Sequence, residues 1–162
     1  MKEKLLRAMA EYFGQDAKRI DHARRVLGYA EKILAKEAGD RIVIEAAAVL
    51  HDIGIHAAEK KHGSTAGKYQ EIEGPPIAAE ILSRLAFPAE KIAEVLEIIA
   101  HHHTPGKVDT LNFKVLYDAD WLVNLKDEHD VSDKARLKKI IEKVFLTPTG
   151  KDLAKETYGV GE

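Results

Sequence analysis

Apolar residues recur at three- and four-residue steps along most of the chain, a spacing typical of amphipathic α-helices. The clearest stripe comprises Ile20, Ala23, Leu27, Ala30 and Leu34. It predicts a helix that Asp16 caps and that runs to about Glu37. No segment shows the two-residue alternation that is typical of a half-buried strand. The pattern therefore predicts an all-α fold.

Breaks in the same pattern divide the chain into about seven or eight helices. Besides the helix just described, the predicted segments are residues 5–13, 42–52, 75–85, 90–101, 113–125, 133–145 and a weaker one at 149–158. Pro75 and Pro76 are expected in the first turn of their helix, where a missing N–H is tolerated. Ser132 is the expected cap of the helix that begins near residue 133.

The stretch from Gly54 to Gly74 lacks a helical stripe and is rich in glycine, histidine and lysine. The pattern predicts a loop here. Loops of this length are uncommon in compact domains, and those that occur are usually functional or disordered. We therefore expect one of these two roles for the segment.

Composition narrows the class of protein further. The 162 residues suffice for one domain with a substantial core. Basic and acidic residues nearly balance, 25 against 27 with a formal net charge of -2, which argues against a dedicated nucleic-acid-binding protein. Cysteine is absent, so any metal site must use nitrogen and oxygen ligands. No signal-peptide pattern opens the chain and no apolar run approaches a membrane span, so we expect a cytoplasmic protein.

The adjacent pair His51-Asp52 ends a short apolar segment, where neither side chain suits a hydrophobic core. An anion at the C-terminal end of a helix is disfavoured by the helix dipole, and a nearby cation would reverse that penalty. A divalent metal is one such cation, and Lys60 or Lys61 is another. A histidine bonded to helix carbonyls beside a solvated aspartate is the plainer interpretation when this pair is considered alone.

Other histidines also lie at helix ends or beside apolar stripes. His22 is one step off the core stripe of its helix, at the edge of the buried face. His101, His102 and His103 end another helix, with His102 on its apolar stripe. Because consecutive helical side chains point about 100° apart, these three histidines cannot all face one ion.

Asp118 and Asp120 flank Ala119 in an otherwise apolar helix. Both lie about equally far from the centre of its stripe, on opposite sides, so helical phase does not choose between them. A carboxylate at the margin of a buried helix needs a partner, and a metal ion would serve.

The order of these residues resembles the signature of the HD superfamily of metal-dependent phosphohydrolases. That order is His22, then His51-Asp52, then a carboxylate at 118 or 120. The matching segments are 21–26 (a His-x-x-Arg-Val opening), 50–54 (His-Asp-Ile-Gly) and 117–122 (Asp-Ala-Asp-x-Leu). In that family the ligand is the carboxylate just after the alanine, so the resemblance selects Asp120. It implies a single HD domain over residues 1–162, with a metal-site core at about 20–126 and the C-terminal helices 132–158 packed on it.

The resemblance also bears on a second metal. Two-metal members carry an additional histidine between the His-Asp pair and the last aspartate, and Glu73 stands in that region here. Their next ligands come from a histidine at a helix end, matching His101 and His102. The expectation is therefore one complete site, with one or two divalent ions per chain, and a second site of altered composition.

The function that this resemblance implies is hydrolysis of a phosphate ester through a metal-activated water. The ligands would be His22, His51, Asp52 and Asp120, with His101, His102 and Glu73 as further candidates. Asp52, Glu73 and His101 are the expected catalytic residues. Lys60, Lys61, His62 and Arg24 are the expected substrate-binding residues.

Ligand type leaves the metal open among Mn, Fe, Co, Ni, Zn and Mg. The expected substrate is a nucleotide or a nucleotide-like small molecule, and Tyr69, Tyr117 and Trp121 are candidates to stack on a base. Two alternatives stay open. One is a non-catalytic regulatory domain that binds metal or nucleotide, and the other is a di-iron oxygenase of the same fold.

Overall fold

Nine helices form the regular structure of residues 1–161, the part of the chain that the computed structural model describes. They are α1 (Lys2–Phe13), α2 (Ala17–Leu34), α3 (Arg41–Leu50), α4 (Ile55–His62), α5 (Gly67–Arg84), α6 (Ala89–His101), α7 (Leu111–Glu128), α8 (Lys134–Val144) and α9 (Pro148–Thr157). The predicted all-α class is confirmed, and α4 is the helix that the apolar pattern did not indicate. None of these helices has both the length and the apolar character needed to cross a membrane.

Local capping explains where the first helices begin and end. Gly14 ends α1 in a left-handed conformation (φ 62°), which costs glycine little. The Asp16 carboxylate accepts a hydrogen bond from the Arg19 N–H and caps α2 as predicted. The same carboxylate lies 2.7 Å from Nε2 of His56, and this pair joins α4 to the start of α2. His56 thus has a structural partner in Asp16.

The prediction of a loop at 54–74 is wrong, because α4 and most of the first half of α5 occupy this segment. Pro75 and Pro76 lie inside α5 and not in its first turn. The buried face of α5 begins with Gln70, Gly74 and Ala78 at four-residue steps. These residues have helical spacing but little apolar character, so a search for hydrophobic stripes does not detect them.

Gly54 and Gly74 let the backbones of two segments touch directly. A Cβ atom on Gly54 would lie 2.5 Å from the Gly74 nitrogen, a distance that side chains do not tolerate. Gly54 ends the turn that carries His51 and Asp52, so this contact places α5 against that turn. This close approach of the two backbones therefore fixes α5 beside His51 and Asp52.

Helix α3 forms the centre of the fold, because α1, α2, α6 and α7 all pack against it. Its sequence is apolar around most of its circumference, and seven of its ten residues are buried. A helix that is apolar on nearly all sides belongs in the interior. The residue that follows it, His51, is consequently fully buried as well.

The C-terminal helices begin at caps that differ in part from the prediction. Asp133, and not Ser132, caps α8 by accepting from the Arg136 N–H. The predicted Ser132 cap is wrong, because the Ser132 hydroxyl and N–H both donate to Asp130. Helix α9 begins after Thr147, whose hydroxyl accepts from the Gly150 N–H.

Asp118 links α7 to the start of α9. Its fully buried carboxylate accepts hydrogen bonds from the Leu146 N–H (2.9 Å), the Thr147 N–H (2.8 Å) and the Thr147 hydroxyl (2.7 Å). Burial raises the pKa of Asp118 to about 6, although these donors favour the charged form. Asp118 is therefore engaged with the C-terminal helices.

We expect Asp118→Ala to lower the free energy of unfolding by about 2–4 kcal/mol, because buried donors of Thr147 lose their acceptor. Urea denaturation followed by circular dichroism measures this change. Asp152→Ala, which removes an exposed carboxylate on α9, is the matched control and should stay within about 0.5 kcal/mol of the unmodified protein. Equal stability of the two variants would show that the Asp118 contacts give no net stabilisation.

Candidate metal centre

His51 is oriented by the end of α3. Its Nδ1 lies 2.8 Å from the Ala48 carbonyl oxygen, and because a carbonyl only accepts, Nδ1 carries the proton and donates. The lone pair of a neutral His51 ring is then on Nε2, which faces the neighbouring helices. Metal-binding histidines in proteins are commonly held by a hydrogen bond of this kind.

Four residues predicted as ligands converge at this point from α2, the turn after α3, and α7. Nε2 of His22 lies 3.0 Å from Asp120 Oδ1, 3.3 Å from Asp52 Oδ2 and 3.2 Å from Nε2 of His51. Nε2 of His51 lies 3.2 Å from Asp120 Oδ1. The structure thus brings His22, His51, Asp52 and Asp120 together, and it turns Asp118 toward α9 instead.

His102 adds a fifth group at the end of α6. Its Nδ1 donates to the Ile99 carbonyl at 2.7 Å, so Nε2 of the neutral ring is an acceptor. Nε2 lies 3.3 Å from Asp52 Oδ1 but has no hydrogen bond in the described part of the chain, although the atom is buried. A buried polar atom without a partner is costly and calls for an ion or a water molecule.

The three consecutive histidines at the end of α6 do not all face the same point. His101 turns away, with Nδ1 bonded to the Glu97 carbonyl at 3.0 Å. His103 lies near His102 and Asp52, and the ligand atoms of these three residues are all within 4.8 Å of one another. The residue that joins His102 in this second group is therefore His103, which the sequence comparison did not select.

Electrostatics at the centre favour a bound cation. Burial opposes a charge on His51, but the carboxylates of Asp52 and Asp120 outweigh it and raise the pKa of His51 to about 10. Burial alone would raise the pKa of Asp120, yet the nearby His51 and His22 hold it well below its usual range. A metal-free centre therefore holds a proton where a divalent ion would supply the positive charge.

The donor set fits a divalent metal. Two imidazole nitrogens and two carboxylates are ligands for Mn, Fe, Co, Ni or Zn, and the absence of thiolates disfavours soft ions. The carbonyl-anchored Nδ1 atoms of His51 and His102 leave both Nε2 atoms available as ligands. The unpartnered Nε2 of His102 is the observation that argues most directly for a group absent from the protein chain itself.

Several predicted site residues lie elsewhere. Glu73 pairs with Lys61 (2.9 Å) and His62 (3.0 Å), which joins α4 to α5, and it is not part of the candidate ligand cluster formed by His22, His51, Asp52 and Asp120. Lys60 and Arg24 are exposed, and neither lines the cavity beside the cluster. The structure does not bring these five residues into the candidate centre.

A cavity of about 210 Å³ opens beside the ligand cluster. Four of the residues that line it were not indicated by the sequence: Lys18, Arg19, Asn124 and Glu128. Lys18 precedes the candidate ligand His22 by four residues, and Asn124 follows the candidate ligand Asp120 by four. Because residues four apart share a helix face, spacing from the ligands was the signal that could have found them.

Comparison with known proteins agrees with this arrangement. The family model of the HD domain matches residues 19–125. A predicted HD superfamily hydrolase from an uncultured Thermotogales bacterium is 30% identical, with 97% of this chain and 84% of that chain covered at a TM-score of 0.71. An HD-superfamily hydrolase from Bacillus thuringiensis is 22% identical, with 98% and 89% covered and a TM-score of 0.64. No curated protein matches the sequence.

Metal affinity should rise with pH. Below about pH 10 the metal-free protein holds a proton on His51, and an ion that binds Nε2 must displace it. For one proton released, we expect the dissociation constant to fall about tenfold per pH unit between pH 6 and 8. Calorimetric titration with Mn²⁺ in buffers of different ionisation enthalpy measures both affinity and proton release. A dissociation constant that does not change with pH would contradict a metal at His51.

The neighbouring pair His101 and His102 offers a matched test of the centre. We expect His102→Ala to lower the bound metal or its affinity at least about tenfold, because Nε2 of His102 faces Asp52. His101→Ala should leave both unchanged, since the His101 ring belongs to neither group of described residues that could hold a metal. Metal content by mass spectrometry and thermal unfolding of both variants separate lost ligation from lost folding. Equal metal loss in the two variants would contradict the assignment of His102, and not His101, as a metal ligand.

Proposed function

The chain belongs to the HD domain family, and on that premise we propose that it is a metal-dependent phosphohydrolase acting on a small phosphate ester. Nucleotides and nucleotide-like molecules are the substrate class that the sequence resemblance implies. The observation that carries the proposal is the convergence of His22, His51, Asp52 and Asp120 beside an open cavity. A reacting group in that cavity lies next to the ligand cluster.

The residues of the cluster would have different roles in holding the ion. His22, His51, Asp52 and Asp120 hold the ion, with the His51 ring kept in place by the Ala48 carbonyl. When bound, a divalent ion polarises a phosphoryl oxygen and lowers the pKa of water. Asp52 directs Oδ2 toward His22 and Oδ1 toward His102, so one carboxylate serves both ligand groups.

The proton of an attacking water needs an acceptor near the cluster. Asp52 meets the geometric requirement, because it borders the cavity and is among the ligands. His103 also lines the cavity, with Nε2 bonded to Gln70 Oε1 at 3.1 Å. These residues replace Glu73 and His101 as the nearest candidates for this step.

A di-iron oxygenase is a second candidate, which the sharing of Asp52 by two ligand groups favours. Two irons per chain with oxygen uptake would support it. Metal binding without turnover of any kind would support a regulatory domain. Metal analysis of protein purified without chelator, followed by oxygen-uptake and phosphate-release assays, distinguishes these functions.

We expect phosphate release from at least one ester in a panel of nucleotides and sugar phosphates, assayed with Mn²⁺, Fe²⁺, Co²⁺, Ni²⁺, Zn²⁺ and Mg²⁺. Asp120→Ala should lower kcat/KM at least about a hundredfold, since even outer partners of metal ligands contribute about 10–100-fold. Asp109→Ala, which removes an exposed carboxylate, is the control and should retain activity. Full activity of Asp120→Ala would refute the proposed centre.

A further inference from the structure

Two cations at the cavity, Lys18 and Arg19, are free of ion pairs in the described part of the chain, although the charge of Arg19 acts on nearby Asp16. Lys18 and Arg19 lie in the first turn of α2, four and three residues before His22, and both line the cavity. Among residues 1–161 neither side chain forms an ion pair or a hydrogen bond. Arg25, in contrast, is held by Asp127 at 3.2 Å. Unpartnered cations beside a phosphoryl site are suited to bind the phosphate of a substrate.

The end of α7 forms another wall of the cavity, which carries an amide and a carboxylate in place of cations. Asn124 and Glu128 follow Asp120 at four-residue steps, so the three residues share one face of the helix. Neither the Asn124 amide nor the Glu128 carboxylate has a partner within the described residues. An amide and a carboxylate form hydrogen bonds with hydroxyl groups. The carboxylate of Glu128, which no cation offsets, would repel a second phosphate, so the wall favours a neutral hydroxylated group.

Aromatic side chains do not contribute to this wall. Across residues 1–161, no phenylalanine, tyrosine or tryptophan lines the cavity. The three candidates for base stacking are packed elsewhere: Tyr69 on His62 (centroids 4.3 Å apart), Tyr117 on Phe113 (5.8 Å) and Trp121 on His129 (5.7 Å). A base in the cavity would therefore lack the stacking that contributes about 1–3 kcal/mol in nucleic-acid-binding proteins.

The surroundings of the His103 ring and the size of the cavity also disfavour a base in the cavity. His103 lines the cavity, but its ring packs against His102 (centroids 4.0 Å apart) and bonds to Gln70. The volume of about 210 Å³ is below the range of about 300–1,000 Å³ that is typical of pockets enclosing drug-sized ligands. The cavity therefore suits a phosphate and a short polar chain better than a base.

We propose that the cavity recognises the phosphate monoester of a small hydroxylated carbon chain, such as a sugar phosphate. Lys18 and Arg19 bind the phosphate, and Asn124 and Glu128 bind hydroxyl groups of the chain. This inference rests on the proposed function. A nucleoside monophosphate is accepted with its sugar phosphate in the cavity and its base outside, so the identity of the base is not read.

Steady-state kinetics of the metal-loaded chain test this specificity with ribose 5-phosphate, AMP, CMP and phenyl phosphate. We expect kcat/KM for ribose 5-phosphate, AMP and CMP to agree within about threefold, because they share the enclosed part. Phenyl phosphate, which has no hydroxyl group, should be at least about tenfold poorer, as expected when hydrogen-bonding groups of a site lose their partners.

Variants test the phosphate-binding residues and the hydroxyl-binding residues of the cavity separately. Lys18→Ala combined with Arg19→Ala should raise KM for all four esters about tenfold or more, while Lys36→Ala, at an exposed lysine outside the cavity, leaves KM unchanged. Asn124→Ala and Glu128→Ala should each lower kcat/KM for ribose 5-phosphate about tenfold and change phenyl phosphate hydrolysis less than about twofold. Glu156→Ala, on the exposed face of α9, is the matched control for Glu128→Ala.

The outcomes separate this inference from the function beneath it. Release of phosphate from no ester with any metal would overturn both. Two results would leave the proposed function standing and overturn the inference. One is a kcat/KM for AMP more than about tenfold above that for ribose 5-phosphate. The other is a difference of more than about tenfold between the kcat/KM values for AMP and CMP. An equal effect of Asn124→Ala on phenyl phosphate and on ribose 5-phosphate would likewise overturn it.

Discussion

The confinement of two carboxylates among histidine rings is the interaction on which the rest of this structure depends. Asp52 and Asp120 are largely withdrawn from solvent, and both lie close to Nε2 of His22. Isolated charges in such surroundings are costly, so the carboxylates need a positive partner. A proton on His51 supplies one when the chain is alone, and a divalent ion would supply a stronger one. Apolar residues pack α2, α3 and α7 together, and a cation between them would offset the cost of burying these two carboxylates.

The scaffold is suited to hold such a centre in place. Helix α3 is apolar on nearly every side and draws the residue after it, His51, into the interior. Carbonyl oxygens of Ala48 and Ile99 then fix the orientation of His51 and His102, so neither ring has to reorient to bind an ion. The backbone contact at Gly54 seats α5 against the same turn. Packing and hydrogen bonding therefore hold in place the groups that could bind a metal.

Most of the helices, and the four residues of the ligand cluster, could be predicted from sequence because each carries a strong local signal. Apolar stripes mark most helices, and ordered motifs mark His22, His51-Asp52 and Asp120. The signal fails where the buried face is not apolar, as at Gln70 and Gly74 of α5. The signal also fails among His101, His102 and His103, because three successive histidines look alike in sequence. The sequence therefore does not show which two of them lie near Asp52. Glu73 was placed by motif position, whereas its actual partners come from the helix that the pattern did not detect.

The neighbours Asp118 and Asp120 show how one helix connects the centre to the C-terminal region. Two positions apart on a helix means about 200° of rotation, so their carboxylates leave α7 on nearly opposite sides. Asp120 meets His22 and His51, while Asp118 receives the donors at the start of α9. Leu146 and Thr147 thus bind α7 on the side opposite to the Asp120 carboxylate. The family model ends at residue 125, but the Thermotogales hydrolase aligns over 97% of the chain. The helices outside the motif region thus support the ligand helix from behind, and the geometry of the centre includes them.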